Sequence, residues 1–450
     1  MSNPSDFLAE LSWRGLIHQS TGEDALRQHL ASTTHSPRKA YVGFDPTAPS
    51  LTIGNLVGIV ALVRFALAGH SPVIVVGGAT GLIGDPSGKS AERTLNTPET
   101  VQANVEGQTR IYHNVWKNAA ALTGKTLGDG GGPPIRNNYD WFKAISFLDA
   151  LRDIGKHFSV NMMIQKESVK ERLTNRDQGI SYTEFSYMLL QAYDFLHLWK
   201  SEGVTLQMGG SDQFGNIVCG SDLIRRDAAQ SHGVSPTDAQ PDTFGLTWPL
   251  VTKADGGKFG KTESGAIWLT ADRTSPYAFY QFWLNAADAD VVKFLKTFTL
   301  LDKAEVDRLE AAHNANPGAR EAHRALARHM TTLLHGPAEM ELAEKAAKAL
   351  FSGEVADLPL STLEEALASA PSSDHPRANL DAGLPLLDFL ITTNLATSKR
   401  EAREFLANGS VAVNGSKATP DDKLTPASLL HNRLIAIRRG KKNWHVARFS

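Results

Sequence analysis

The sequence of 450 residues predicts an α/β protein: a parallel sheet with crossover helices, followed by an all-helical stretch and a small basic module. Three observations predict it. "RKAYVGF" (38–44), "IGNLVGIVALVRFALAG" (53–69) and "PVIVVGGA" (72–79) read as strand, helix and strand, one crossover unit of a parallel sheet. From Pro276 to about Phe351 the chain is rich in Ala, Leu, Lys and Glu at helical spacing. Residues 384–450 carry eleven Lys/Arg against five Asp/Glu, so this tail is +6 and the remainder −8, within a total of −2.

The length exceeds what one ordinary core organises, so two or three domains are expected. A hydrophobic share of 42% with 21% charged residues is that of a soluble globular chain, and no apolar run reaches the length of a membrane span. "MSNPSDFLAELSWRG" has neither a basic start nor a continuous apolar stretch, so a cytoplasmic location is expected. The lone Cys219 excludes an intrachain disulfide and a cysteine-rich zinc site, and is read as a small buried side chain. A basic module on an acidic body points to a nucleic-acid partner.

Taken in order, the first element of interest is the junction "YVGFDPTAPSLTIGN" (41–55), where Asp45, Pro46, Thr47 and Ser50 crowd between strand and helix. Such a junction aims free backbone N–H groups and a helix's positive end at a ligand, so an anion is the natural guest. In "GLIGDPSGKS" (81–90) a phosphate-loop motif is broken by Ile83, where a glycine is needed. Either Asp85 is displayed at a strand end with Lys89 and Arg93 beyond it, or the segment is a plain surface turn. "LTGKTLGDGGGPP" (122–134) reads as a flexible surface insertion, and helical patterns follow at 145–172 and 182–200.

Within "YTEFSYMLLQAYDFLHLW", Tyr187, Gln191 and Asp194 share one helical face, a solvated stripe or the wall of a pocket. "LQMGGSDQFGNI" (206–217) sets paired glycines before Asp212 and Gln213, a close approach to a ligand or an ordinary turn. "TKADGG" and "KFGKTESG" hold Lys253, Lys258 and Lys261 among glycines. These are solvated lysines, or a basic loop able to close on a triphosphate as its charge grows. "APSSDHPRAN" (370–379) reads as a linker, "LPLLDFLITTNL" and "SKREAREFLANG" as short helices, and "SVAVNGSKA" as a hairpin turning at Asn414-Gly415.

Eight stretches in register, "YVGFDPTAPSLTIGN", "VGGATGLIGDPSG", "NNYDW", "GKHFSVN", "ISYTEFSYMLLQAYDF", "GGSDQFGN", "PLVTKADGGKFGKTESG" and "TSPYAFYQFW", make most of residues 38–284 resemble bacterial tyrosyl-tRNA synthetase, a class I aminoacyl-tRNA synthetase. The tail resembles the S4-type RNA-binding module. The resemblance implies a Rossmann-like, doubly wound catalytic domain over 1–265 with a connective insertion. It implies further a helical tRNA-binding domain over 266–352, a linker over 353–383 and an S4-like domain over 384–450. The implied reaction forms tyrosyl-adenylate and pyrophosphate from L-tyrosine and ATP, then passes tyrosine to the 3′ end of tRNA(Tyr). ATP is a substrate, Mg2+ arrives with it, and no protein metal site is implied.

Carried onto this sequence, the resemblance has Tyr41 and Asp194 hydrogen-bond the substrate phenol, and Asp85, Tyr187 and Gln191 surround its ammonium. Asn138 and Gln207 are further polar contacts, and Gln213 reaches the carboxyl region. Gly43, Asp45, Gly54, Gly210 and Asp212 belong to the ATP site with Lys253, Lys258 and Lys261, the last two meeting the β- and γ-phosphates with help from Thr47. Lys399, Arg400, Arg403, Arg438 and Arg439 are the expected tRNA contacts. A homodimer is implied, with residues 135–175 at its interface. The family's His-Ile-Gly-His signature stands here as Thr52-Ile53-Gly54-Asn55. Asn55 can donate through its amide and Thr52 through its hydroxyl, and neither carries positive charge. Three other readings are a synthetase-like RNA-binding regulator with little activation, a P-loop phosphotransferase, and a tryptophan-specific relative, the last disfavoured because Tyr41 and Asp194 suit a phenol.

Overall fold

The sheet of the computed structural model is built from β1 (Gln19–Ser20), β2 (Lys39–Phe44), β3 (Ser71–Val76), β4 (Ile135–Asn137), β5 (Val204–Gly210) and β6 (Phe244–Trp248). Residues 6–32, 34, 37–85, 95–128, 130–166, 169–170, 173, 179–254, 256–257, 259–262, 265–440 and 443–450 are described. The strand order is β1-β6-β5-β2-β3-β4. Every neighbouring pair is parallel except β1 with β6, so the expected doubly wound sheet carries one short antiparallel edge. From central β2 the chain winds outward through β3 and β4, then returns to the other side of β2 for β5 and β6. Val73 to Val76 are all buried, the mark of a strand covered on both faces.

The crossover from β2 to β3 passes through a 3₁₀ turn, Ile53–Asn55, and the helix Leu56–Leu67, in which Leu56 to Ala66 are all buried. Arg64 tolerates this because its guanidinium donates to the carbonyls of Thr297 and Thr299 at 2.9 and 2.8 Å, at the C-terminal end of the helix Asp288–Phe298. A buried cation is thus met by the negative end of a helix. The pattern at 182–200 is the helix Tyr182–Glu202, capped by Ser181 and ended by left-handed Gly203. The pattern at 145–172 is not one helix. It breaks into Phe147–Asp149, a π-turn at Ala150–Ile154, a 3₁₀ turn at Gly155–His157 and Val160–Ile164. Ile154 and Met163 are buried in this unit's core, while Phe147, Leu148, Val160 and Met162 are exposed, so its apolar spacing is only partly answered there.

Two compact units result: residues 1–274 with 285–334, and residues 275–284 with 335–450. The helical stretch 266–352 is therefore shared between them. Asp288–Phe298 and Lys303–Ala315 belong to the sheet unit, while Pro276–Leu284 pairs with Pro337–Ser352 in the other. Amphipathic helices follow whichever apolar surface covers them, which composition does not reveal.

The second unit holds a five-stranded sheet ordered Ser416–Lys417, Val411–Val413, Leu434–Arg439, Asn443–Phe449, Ser372–His375. The hairpin turns where expected, with Asn414 at φ 50° and Gly415 at φ 92°, the pair of positive values a tight hairpin turn requires. The expected linker 353–383 is packed: Val355, Leu358, Leu363 and Leu367 are buried against Leu434, Ala436 and Val446. Its polar run Ser372–His375 pairs in parallel with Val446–Phe449, an edge strand whose polarity suits its half-exposed place. Among the described residues no helix is long and apolar enough to cross a membrane.

Candidate active site

Phe44, Gly77, Asn138, Gly210 and Trp248 stand at or just beyond the carboxyl ends of β2 to β6, and all five line one cavity of about 670 Å³. That is where a parallel sheet binds its ligands, at the point where the winding reverses. Of the sequence-predicted residues, Tyr41, Gly43, Asp45, Thr47, Thr52, Gly54, Asn55, Asp85 and Asn138 line it, with Tyr187, Gln191, Asp194, Gln207, Gly210, Asp212 and Gln213. The face shared by Tyr187, Gln191 and Asp194 is thus a pocket wall. Lys258 and the side chain of Lys261 lie outside the described residues, as do Lys89, Arg93 and the Gly88-Lys89-Ser90 run.

The closed end is polar and buried. Asp194 accepts from Asn138 Nδ2 at 3.1 Å and Trp141 Nε1 at 2.9 Å. Asn138 is itself fixed, receiving Ala79 N–H at 2.7 Å and donating to Thr80 Oγ1 at 3.0 Å. Burial pushes the Asp194 carboxyl up to about 8, against the lowering effect of those two donors. The Tyr41 hydroxyl and Gln207 Oε1 are buried without a hydrogen-bond partner, two polar atoms facing a cavity that a ligand's hydroxyl or amide could satisfy. Burial and the nearby Asp194 raise the Tyr41 phenol, so it remains an O–H donor.

The middle of the cavity is a chain of paired side chains. Asp45 accepts from Thr80 Oγ1 at 2.7 Å and Tyr187 OH at 2.8 Å. Gln213 Nε2 donates to Asp85 at 2.7 Å, and Asn216 Nδ2 donates to Gln191 Oε1 at 3.0 Å. Asp45 therefore holds the wall in shape, beyond the ATP role read from its loop. Burial raises Asp212. Four acidic side chains, Asp45, Asp85, Asp212 and the proton-holding Asp194, line the cavity, and among its described lining residues there is no Lys, Arg or His. It welcomes an ammonium and repels a triphosphate unless cations come from elsewhere.

At the open end the backbone joins two segments. Ile53 N–H donates to Ile267 O at 3.0 Å and Leu269 N–H to Leu51 O at 2.9 Å, which hangs the hairpin of Lys261–Thr262 and Gly265–Ala266 on the β2–helix junction. Gly260 sits at φ 80°, and a Cβ there would come 2.5 Å from Ile53 Cγ2, so only glycine lets the lysine segment approach this closely. Asn55 Oδ1 accepts both Thr52 N–H and the Thr52 hydroxyl, each at 3.0 Å. The Thr52 proton expected to meet a ligand is thus already given to Asn55. The same bonds orient the Asn55 amide, leaving its Nδ2 group as the donor.

Sequence reasoning missed Trp141, Thr80 and Asn216. Trp141 stood inside "NNYDW" beside Asn138, Thr80 inside "VGGATGLIGDPSG", and Asn216 lies three residues, one helical turn, after Gln213; only the fold brings Thr80 to Asp45. In the second unit, Lys399, Arg400 and Arg403 are exposed on the helix Lys399–Ala407. Arg438 and Arg439 differ, because they donate to the carbonyls of Phe351 and Ser352 and of Leu395 and so hold that unit together.

Residues 33–352 match the family model of class I tRNA synthetases (W and Y), and residues 364–447 match that of the tyrosine–tRNA ligase SYY-like C-terminal domain. The chain is 48% identical to the tyrosine–tRNA ligase of Bacillus caldotenax over 99% of its own length and 100% of the relative's. It is 49% identical to that of Dechloromonas aromatica over 98% of each. A crystal structure of a C-terminally truncated mitochondrial tyrosyl-tRNA synthetase from Aspergillus nidulans superposes with a TM-score of 0.69 at 30% identity, covering 77% of this chain and 94% of that one. The cavity at the strand ends, the two family matches and the full-length likeness agree: the chain belongs to the bacterial tyrosyl-tRNA synthetases, class I aminoacyl-tRNA synthetases.

Proposed function

We propose that the chain is a tyrosine–tRNA ligase in which Asp194, Tyr41 and their neighbours select tyrosine and the open end of the cavity handles ATP. A carboxylate oxygen of tyrosine attacks the α-phosphorus of ATP and pyrophosphate leaves; the terminal ribose hydroxyl of tRNA(Tyr) then attacks the adenylate's carbonyl carbon and AMP leaves. The protein supplies position and charge, and no protein nucleophile takes part. The substrate phenol hydrogen-bonds to Asp194 and accepts a hydrogen bond from the Tyr41 hydroxyl. The observation that carries this is the carboxylate anchored by Asn138 and Trp141 next to an unpartnered phenol. A pocket so paired is left with unsatisfied polar atoms by phenylalanine, a rule of which this enzyme family is itself the stock illustration.

Asp85, Tyr187 and Gln191 take the ammonium, which the cavity's carboxylates favour. Gln213 reaches the carboxyl region, and Asp212 beside Gly210 the ribose. Asn55, Thr47 and the lysines at 253, 258 and 261 meet the triphosphate with the Mg2+ that accompanies it. The exposed Lys399, Arg400 and Arg403 of the S4-like module contact tRNA. The enzyme works in the cytoplasm as a homodimer, a reading supported by exposed Phe147, Leu148, Leu151, Val160 and Met162 within the expected interface segment. Pyrophosphate exchange dependent on amino acid and ATP tests the assignment. Exchange with tyrosine and not with phenylalanine or tryptophan is expected; no exchange with any of them would instead favour an RNA-binding regulator.

A further inference from the structure

No residue of the helix Pro98–Thr123 lines the substrate cavity, yet one of its faces is turned to the loop Asp45–Pro49 that leads into it. That loop is short of donors, because Pro46 and Pro49 carry no N–H and Thr47 N–H is taken by Asp45 O at 2.9 Å. Its carbonyls are met by the helix. Asn104 Nδ2 donates to Pro46 O at 2.9 Å, and Gln108 Nε2 lies 3.4 Å from both Asp45 O and Ala48 O. Asn104 is 3% exposed and Gln108 1%, so neither amide is free to trade the loop for solvent.

Gly107 stands one turn from Asn104 on the same face. A Cβ there would come 2.3 Å from Pro49 O, so a fourth carbonyl of the loop packs where only glycine leaves room. Glycine is a poor residue for the middle of a 26-residue helix, and this close approach accounts for it. Tyr112, buried one turn further on, donates to Gln108 Oε1 at 3.3 Å, which leaves Nε2 as the end that faces the loop. The helix is anchored without the loop's help: the Thr97 side chain caps its start, and Asn118 Nδ2 donates to Leu333 O at 3.1 Å near its end. A fixed helix thus grips the loop from outside the cavity, while Asp45 and Thr47 line the cavity itself.

On the reading of Thr47 as a triphosphate contact, we propose that Asn104, Gly107 and Gln108 are positioning residues for ATP. They hold the carbonyls of residues 45–49 so that the Thr47 hydroxyl stands where the charge of the triphosphate develops. None of the three touches substrate, and each acts through the loop. The Asp45 carboxylate is held separately by Thr80 and Tyr187, at 2.7 and 2.8 Å. A loosened loop therefore displaces Thr47 more than it displaces the tyrosine end.

Pyrophosphate exchange is measured with ATP and tyrosine varied in turn. Asn104→Leu, similar in shape but without a donor, is expected to lower kcat/KM for ATP about tenfold while the tyrosine KM stays within about twofold, the mark of a misplaced contact to one substrate. Gly107→Ala, which removes no donor, is expected to show the same split. In a Thr47→Ala background Asn104→Leu is expected to lose less than about threefold, since no hydroxyl is left to place. If thermal unfolding shows that Asn104→Leu does not fold, Gly107→Ala in the two backgrounds gives the same comparison. An undiminished loss in the Thr47→Ala background, a tyrosine KM that rises together with that of ATP, or wild-type kinetics in both variants would overturn the proposal. Wild-type exchange supported equally by phenylalanine would break the reading of the closed end and leave this proposal standing, because its readout is ATP; a wild type with no exchange at all would overturn both.

Discussion

The two ends of the cavity are built on opposite terms. At the closed end Tyr41, Asn138, Asp194 and Gln207 are all buried, and Asp194 and Asn138 are hydrogen-bonded into the wall. At the open end Thr47, Gly54 and Asn55 are exposed, and the described walls offer carboxylates but no cation. The difference follows from what each end must do. A hydroxyl that separates one substrate from its near-isostere is read by dry atoms that cannot turn to water for consolation. Charge that grows during reaction and then leaves with pyrophosphate is met by groups that approach and withdraw.

The largest effect should come from breaking the closed end. Asp194→Ala removes the acceptor for the phenol and strands the donors of Asn138 and Trp141 in a buried site. Its kcat/KM for tyrosine in pyrophosphate exchange should fall on the order of 10²-fold or more, with KM for ATP little changed. A value within threefold of wild type would move tyrosine to another part of the cavity. At the open end Lys261→Ala should lower kcat for activation on the order of 10²-fold while leaving the KM for tyrosine alone, as expected of a group that acts when charge develops. A raised tyrosine KM with normal kcat would erase the division between the two ends.

The closed end also carries a cost in stability that the open end does not. Burial holds the Asp194 carboxyl at about 8. Between an ordinary carboxylate value of ~4 and that point, the folded chain keeps a proton the unfolded chain has lost. Stability therefore falls as pH rises through this window and levels off above it. Asp194→Asn has no such proton, so its stability relative to wild type should rise by up to ~4 kcal/mol between pH ~5 and ~8.5, measured by urea unfolding without tyrosine. Any constant offset reports the misfit of a second amide against Asn138; only the slope reports the charge. Parallel curves for the two proteins would mean the carboxyl titrates normally.

Much of this was legible in the sequence, unevenly. The β2–helix–β3 unit announced itself because strand and helix periods change within a few residues, and Tyr187, Gln191 and Asp194 shared a face by spacing alone. Whether that face met water or a cavity depended on β2 and β5 lying beside it, which no local pattern encodes. Trp141 and Thr80 escaped because their roles arise from partners more than 30 residues away, Asp194 and Asp45. The polar run 370–379 resembled a linker because an edge strand and a loop share a composition. The helical stretch 266–352 resembled one domain because helical spacing shows that a face is buried and not against which core.

The smallest effect lies where this chain departs from its family's signature, at Thr52 and Asn55. The two are bonded so that Asn55 Oδ1 is engaged twice by Thr52, which leaves the Nδ2 group as the donor that Asn55 would offer a nucleotide. Asn55 would then touch the nucleotide, while Thr52 acts only through Asn55. Asn55→Ala should lower kcat for activation about tenfold, the worth of one neutral donor. Thr52→Val keeps the backbone bond and loses the hydroxyl's, so its loss should be smaller, about threefold, and Thr52→Ser should restore wild-type rates because the same proton is available. Asn55→Ala with Thr52→Val should then be no worse than Asn55→Ala alone, since a positioning group has nothing left to position. Losses that multiply would instead give Thr52 its own contact with the nucleotide, and the open end two independent donors.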